Sequence, residues 1–200
     1  MSVVDLRAET RAYGRARLRE LALDAAREVV LERGWGAVRM SAVAAAVGIS
    51  RQSLHAEFGT KDDLGNALVL REVEEFFTGV RERLHAHPGD LAAAVSTAAE
   101  YMLTSAREDP LLQSVLTGAS GDASLLSQLT VAGEPIIGRA VGLVGEWIRD
   151  GWPDADPDDV RLMVESVVRL AQSHILTPTR TPAEAARDLA AVACRCMRTD

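Results

Sequence analysis

The sequence predicts an all-α protein of about nine helices. Three observations carry this. Runs of Val, Ile, Thr and Tyr alternating with polar residues, the mark of a half-buried strand, are missing. Alanine is abundant while aromatics make up only 4%, which suits closely packed helices better than a sheet. Helix-start signals recur along the chain: Ser50, Thr60, Asp90, Asp109-Pro110, Asp156-Pro157 and Thr181-Pro182-Ala183-Glu184.

Residues 1 to about 14 are polar and are expected to be loose. A first helix is expected from about Arg15 to Arg33, with Leu18, Leu21, Ala22, Ala25 and Val29 inward, closed by Gly34 and an aromatic plug at Trp35. A short second helix runs from about Arg39–Ser41 to Val47. Gly48 supplies the left-handed backbone that a helix end needs, and Ile49 turns inward. Ser50 caps a third helix that ends at Phe58. Leu54 and Phe58, four apart, give it one buried stripe, and Arg51, Gln52, Ser53, His55 and Ala56 lie on the other side. Two short helices joined by a tight Gly turn, the second polar on its free face, form the layout of a helix-turn-helix. The second helix of that motif enters the DNA major groove.

Thr60 caps a fourth helix, with Asp62 and Asp63 in its first turn, that runs to about His85. The sequence His87-Pro88-Gly89 breaks it. Its inward residues are expected to be Leu64, Leu68, Val69, Val73, Phe76, Phe77, Val80 and Leu84. A fifth helix spans Asp90 to about Arg107, and a sixth spans Pro110 to Leu116. A loop covers residues 117–124. Helical pattern resumes at Leu125, is kinked or interrupted at Pro135, and ends near Arg149. Helix 8 runs from Pro157 to about Ile175. Helix 9 follows the capping box at Thr181 and ends near Met197. The domain boundary is placed between residues 60 and 61, giving domains 1–60 and 61–200.

The net charge is −7, but it is unevenly spread. Residues 1–60 hold nine Arg and seven acids, a net +2, and the remaining 140 residues carry −9. A basic head on an acidic body fits a protein whose head alone meets phosphate. The N-terminus is charged throughout, without the apolar core of a secretory leader, and no run of 18 apolar residues occurs, so a cytoplasmic, non-membrane chain is expected. Cys194 and Cys196, two apart on a helix, point to different faces and cannot readily pair.

Residues 18–64 closely resemble the DNA-binding domain of the TetR family of bacterial repressors. The family pattern of an "ERG-aromatic" step, "IAxxAGVS", "LYxHF" and "SKxxL" reads here as Glu32-Arg33-Gly34-Trp35, Val43 to Ser50, Leu54-His55-Ala56-Glu57-Phe58 and Thr60-Lys61-Asp62-Asp63-Leu64. The resemblance implies a small three-helix N-terminal helix-turn-helix domain joined through helix 4 to a larger helical ligand-binding and dimerisation domain, in a homodimeric repressor on a palindromic operator of double-stranded DNA, released by a small-molecule ligand. On this reading Arg51 and Gln52 meet guanine and adenine, Ser53 donates or accepts, and Ala56 meets a thymine methyl. Ser50 belongs to the same surface. Lys61 stands where the family commonly holds a phosphate, and Arg39 and Met40 stand where it often has Thr or Ser near the backbone. Two residues depart from the pattern. His55 replaces the usual Tyr, and Glu57 replaces the usual His and would repel phosphate unless it turns away or pairs with an Arg.

In the body, helix 8 is apolar over more than half its circumference, wider than a surface helix needs. With helix 9 it reads as half of a dimer interface, carried by Val160, Met163, Val164, Val167, Ala171, His174, Ala186, Leu189 and Ala193. The resemblance implies that these two helices form a four-helix bundle with their twofold mates. A pocket for an apolar or amphipathic ligand is expected among Phe77, Val80, Leu84, Tyr101, Met102, Ser105, Leu112, Leu116, Leu126, Val141 and Trp147, with Tyr101 and Ser105 as its polar groups. No cofactor or metal is expected. The spacing of His174, Cys194 and Cys196 matches no standard zinc pattern, and there is no Gly-rich phosphate loop or G-x-S-x-G, so an enzyme is not expected. Two other readings stay open: a DNA-binding or interaction module that takes no small-molecule ligand, and a metal-dependent sensor or enzyme.

Overall fold

The computed structural model describes residues 3–117 and 133–197, with side chains over 8–116 and 136–197. These residues hold nine α-helices, one 3-10 turn and no strand. The helices are α1 (Val3–Arg33), α2 (Met40–Ala46), α3 (Arg51–Phe58), α4 (Lys61–His85), α5 (Leu91–Glu108), α6 (Pro110–Thr117), α7 (Gly133–Gly151), α8 (Pro157–Leu176) and α9 (Pro182–Cys196). The expected loop over 118–124 and the resumption of helix at Leu125 lie outside the described residues. Among the described residues no helix is long and apolar enough to cross a membrane.

The described chain divides into two compact units, residues 3–71 and residues 72–117 with 133–197, so the division falls inside α4. In the first unit Ala22, Leu23 and Ala26 of α1, Trp35, Val38, Val43 and Ala44, Leu54 and Phe58 of α3, and Leu64 and Leu68 of α4 are all buried. Trp35 follows Gly34 in a 3-10 turn and fills the space beside α4, where Gly65 leaves room for its ring. Two expectations about α1 need correction. The helix begins at Val3, so residues 3–14 are helical; Arg, Ala, Leu and Glu favour helix even without an apolar stripe to betray it. Leu21 is exposed rather than inward, the buried arc running instead through Ala22, Leu23 and Ala26.

In the second unit α9 packs chiefly along α5 and then on α8, and α8 also meets α7, α5 and α6. Small side chains permit the close approach of α9 to α5: Ala94 and Ala98 on one, Ala185, Ala186, Ala190 and Ala193 on the other, all buried. Caps fix the starts of the helices. Asp90 accepts from the Ala93 N–H, Asp156 from Asp158 and Asp159, and Thr181 with Glu184 forms a complete capping box. Pro135 is the third residue of α7.

Candidate nucleic-acid interface and apolar cavity

The turn between α2 and α3 is set by local chemistry. Gly48 has φ +75°, a conformation that a side chain would strain. The Ser50 Oγ accepts from the Ser53 N–H at 3.0 Å and lies 2.9 Å from the Ser53 Oγ, so Ser50 starts α3 and fixes the Ser53 hydroxyl. Leu54 and Phe58 are buried at 0% and 7% exposure, which points Arg51, Gln52, Ser53, His55 and Ala56 outward, all exposed. The five residues expected on the free face of α3 are brought together there.

Around this face the other expected residues have settled partners. The Arg39 guanidinium donates to the Gly36 and Val38 carbonyls, and Met40 is half-buried. The Lys61 Nζ donates to the Trp35 carbonyl at 2.8 Å and lies 4.7 Å from the Trp35 ring centroid. Lys61 therefore ties the start of α4 to the 3-10 turn. Thr60 and Asp63 cap each other: the Thr60 N–H donates to the Asp63 Oδ2 at 2.8 Å and its hydroxyl does so at 2.7 Å. These bonds, the backbone one first, hold the Asp63 carboxyl below its ordinary pKa.

Glu57 is paired. The Arg15 Nε and Nη2 donate to its Oε2 at 3.1 and 3.0 Å, and the Arg19 Nη1 lies 3.7 Å from its Oε1. Arg19 also lies over the Phe58 ring at 4.7 Å. The acid that would repel phosphate is thus held by α1.

The second unit contains a cavity of about 120 Å³, counted as the space reached by the centre of a water molecule. Phe77, Val80, Leu84, Met102 and Leu116 line it as expected. Residues not foreseen complete it: Phe76, Val95, Ala98 and Ala99, then Ile136, Ile137, Ala140, Leu143 and Val144 of α7, Val167, Val168, Ala171, Gln172 and Ile175 of α8, and Leu189. Gln172 is the polar side chain on this wall. It sits at a stripe position between Val168 and Ile175, and that break in an apolar stripe is the signal that could have found it.

Five expected pocket residues lie elsewhere. Tyr101 is stacked on Phe76, with the Arg83 guanidinium 3.6 Å from its ring centroid, and so lies off the cavity wall. Trp147 packs edge-on against Trp152 in the core, and Leu112 is buried there too. Ser105 and Val141 are half-buried but do not line the cavity. Leu126 lies outside the described residues.

The residues expected at a dimer interface also need correction. Val160, Met163, Val164, Val167, Ala171, Ala186, Leu189 and Ala193 are at most 8% exposed and belong to the chain's own core, so their side chains are not available to a second copy. Helix α8 is apolar over so wide an arc because it touches four helices of its own chain. His174 is half-buried. The outward side of α8 instead carries Leu162, Leu170 and Leu176, exposed at 52%, 41% and 49%. Cys194 and Cys196 are free thiols, both half-buried. Among the described residues no three His, Cys, Asp or Glu side chains gather as a metal would require.

Comparison with known proteins finds two families that match separate stretches of the chain. The family of bacterial regulatory proteins of the tetR type matches residues 22–68, and the bacterial tetracyclin repressor C-terminal domain matches residues 90–195. The HTH-type transcriptional regulator AlkX of Mycobacterium tuberculosis (strain ATCC 25618 / H37Rv) is 34% identical over 176 residues, spanning 88% of this chain and 83% of that protein. The crystal structure of the TetR family repressor AlkX from Dietzia sp. strain DQ12-45-1b, implicated in biodegradation of n-alkanes, is 30% identical with a TM-score of 0.65, over 88% of this chain and 96% of that one. The fatty acid degradation regulator FadR from Bacillus halodurans, at 15% identity and a TM-score of 0.60 over 88% and 93% of the two chains, shares the fold. A Ser50-capped helix with its polar face outward, both family matches and these relatives together place the chain in the TetR family, as a DNA-binding transcriptional regulator of the repressor type.

Proposed function

We propose that the chain works as a homodimer on a palindromic operator and leaves it when a small apolar molecule enters the cavity of the second unit. The observation that carries the DNA part is the free face of α3, where Arg51, Gln52, Ser53, His55 and Ala56 are all exposed beside a buried Leu54 and Phe58. Arg51 and Gln52 have the donors for bidentate contacts to guanine and adenine edges. Two copies are needed because one short helix covers only one half-site, and a twofold pair reads two of them about 34 Å or more apart. The outward Leu162, Leu170 and Leu176 of α8 support self-association, since each buried leucine contributes roughly 1.5–3 kcal/mol.

The ligand reading rests on the wall of the cavity. Nineteen of its twenty lining residues are apolar, and Gln172 is the exception. A wall with no charged group favours a neutral alkyl chain, with at most one hydrogen-bonding group beside Gln172. That chemistry agrees with the n-alkane setting of the Dietzia repressor. Helix α8 carries cavity residues on one side and the exposed leucines on the other, so a ligand that prefers one setting of α8 would shift the spacing of the two heads.

The test is a mobility-shift titration of the full chain against its own upstream DNA, with and without a medium-chain n-alkane. A sequence-selective shift that Arg51→Ala weakens by about 1–3 kcal/mol, and that the alkane reverses, is expected. Equal affinity for every duplex defeats the operator reading. Selective binding that no alkane or alkyl amphiphile alters defeats the ligand reading alone.

A further inference from the structure

Helix α1 overhangs the family's DNA-binding match, which begins at residue 22, by nineteen described residues from Val3 to Leu21. Along that overhang Arg7, Arg11, Arg15 and Arg19 follow at four-residue intervals. At about 100° per residue they fall on the same arc as Leu18, Ala22 and Ala26, of which the two alanines are fully buried in the head. The face of α1 that is apolar where it packs on the head is therefore basic where it runs past it.

The link to α3 fixes which way that basic face looks. Arg15 and Arg19 reach Glu57, which lies on α3 itself, while the Arg15 side chain stays 73% exposed. Arg11 is exposed one turn further out. From Arg19 to Arg11 the helix rises about 12 Å, a length along which one DNA strand presents about three to four phosphates.

We propose that the overhang of α1 is a second DNA-binding element, with Arg11 and Arg15 meeting the backbone phosphates that flank the half-site entered by α3. The inference rests on the reading of α3 as the recognition helix. Guanidinium groups suit this task because their fork of N–H donors matches two phosphate oxygens at once. Glu57 serves as a positioning residue that steers Arg15 and Arg19 towards the α3 side. Contacts to phosphate carry no base information, so the overhang adds affinity equally on all sequences and leaves selectivity to α3.

The test is a fluorescence-anisotropy titration of the full chain and of its Arg11→Gln, Arg15→Gln variant. Each is titrated over a series of salt concentrations with a duplex of about 40 base pairs from the chain's own upstream DNA, long enough for two half-sites, and with a scrambled duplex of the same length. The variant is expected to lose affinity by a similar factor on both duplexes, tenfold or more at physiological salt. Its log–log salt slope should become shallower by about 0.9 for each phosphate that is no longer neutralised. The Arg11→Lys, Arg15→Lys variant keeps the charges and is expected to keep most of the slope, which separates missing charge from a damaged helix. An unaltered slope in the glutamine variant, or a lysine variant as impaired as the glutamine one, overturns the proposal. If the unaltered chain discriminates the two duplexes and the glutamine variant binds as it does, only the overhang is discarded. If the unaltered chain discriminates neither, the recognition-helix reading fails and takes this inference with it.

Discussion

Gly65→Ala tests how the head is held together. A Cβ at Gly65 would lie 2.7 Å from Trp35 Cζ2 and 2.8 Å from Cη2. Ordinary carbon contacts are about 3.5–4.0 Å, so the shortfall is close to 1 Å. The ring cannot easily give way. Trp35 is 3% exposed, Lys61 sits over the ring, and the Lys61 Nζ is bonded to the Trp35 carbonyl. Overpacking of this kind costs about 1–3 kcal/mol, while replacing a helical glycine by alanine returns about 1 kcal/mol. The net expectation is a head less stable by about 1 kcal/mol. Because the chain has two compact units, a single unfolding transition should not be assumed, and native-state hydrogen exchange reads the head separately. Faster exchange across α2 and α3, with α9 unaffected, is the expected result. Gly14→Ala serves as a control, since a Cβ there meets nothing within 4 Å and should slow exchange in α1 or leave it unchanged. A Gly65→Ala head as stable as its Gly14→Ala counterpart would refute the claim that Trp35 is wedged against α4.

The capping box of α9 gives a pH prediction. Bonds from the Thr181 backbone N–H and then its hydroxyl hold the Glu184 carboxyl below its ordinary value of 4.5. A lowered folded pKa means a contribution that is complete above pH 4.5 and is lost as the pH falls through the lower folded value. Thermal melts of Glu184→Ala should therefore show their full gap from the unaltered chain above pH 4.5 and converge with it as the pH falls below that value; a gap that does not close in acid would contradict the cap. Leu189→Ala, at 1% exposure, should cost about 2–5 kcal/mol in urea unfolding. Leu170→Ser, at 41% exposure, should change protomer stability by less than about 0.5 kcal/mol. It should nevertheless weaken self-association in sedimentation runs, and an unchanged dimer would move the interface off that side of α8. Glu57→Gln removes the partner of Arg15 and Arg19 and should raise non-specific DNA affinity with a steeper salt slope. Anisotropy with a scrambled duplex checks this, and weaker binding would show that the hold of Glu57 on Arg15 and Arg19 outweighs the repulsion its charge adds.

What could be read from the sequence is what depends on near neighbours in the chain. Ser50, Asp90, Asp156 and the Thr181–Glu184 box each act within three residues, so the helix starts followed directly from residue type. The free face of α3 was legible for the same reason, because Leu54 and Phe58 fix its rotation. Residues whose role depends on distant elements were not legible. The apolar arc of α8 counts apolar neighbours without saying whose they are, and they proved to be α5, α6, α7 and α9 of the same chain. Tyr101 has the character of a pocket residue, but its ring packs with Phe76 and the Arg83 guanidinium instead. The start of α1 was hidden because Arg, Ala and Glu form helix without any periodic apolar signal.

The charges of the head make a further demand on the fold. Between residues 34 and 60 the chain has two arginines, Arg39 and Arg51, and one acid, Glu57. Arg39 is bonded to two backbone carbonyls, and Lys61 just beyond is bonded to the Trp35 carbonyl. Residues 61–200 carry −9, and an exposed charge is felt across roughly 8 Å at physiological salt. Attraction for a polyanion must then come from cations held within that distance of the phosphates. The helix-turn-helix alone supplies few, while α1 supplies Arg11, Arg15, Arg17 and Arg19 within nine residues. Glu57 looks unfavourable on a DNA-facing helix when read alone. Paired with Arg15 and Arg19, it instead couples the arginines of α1 to α3, whose own arginine is Arg51 alone.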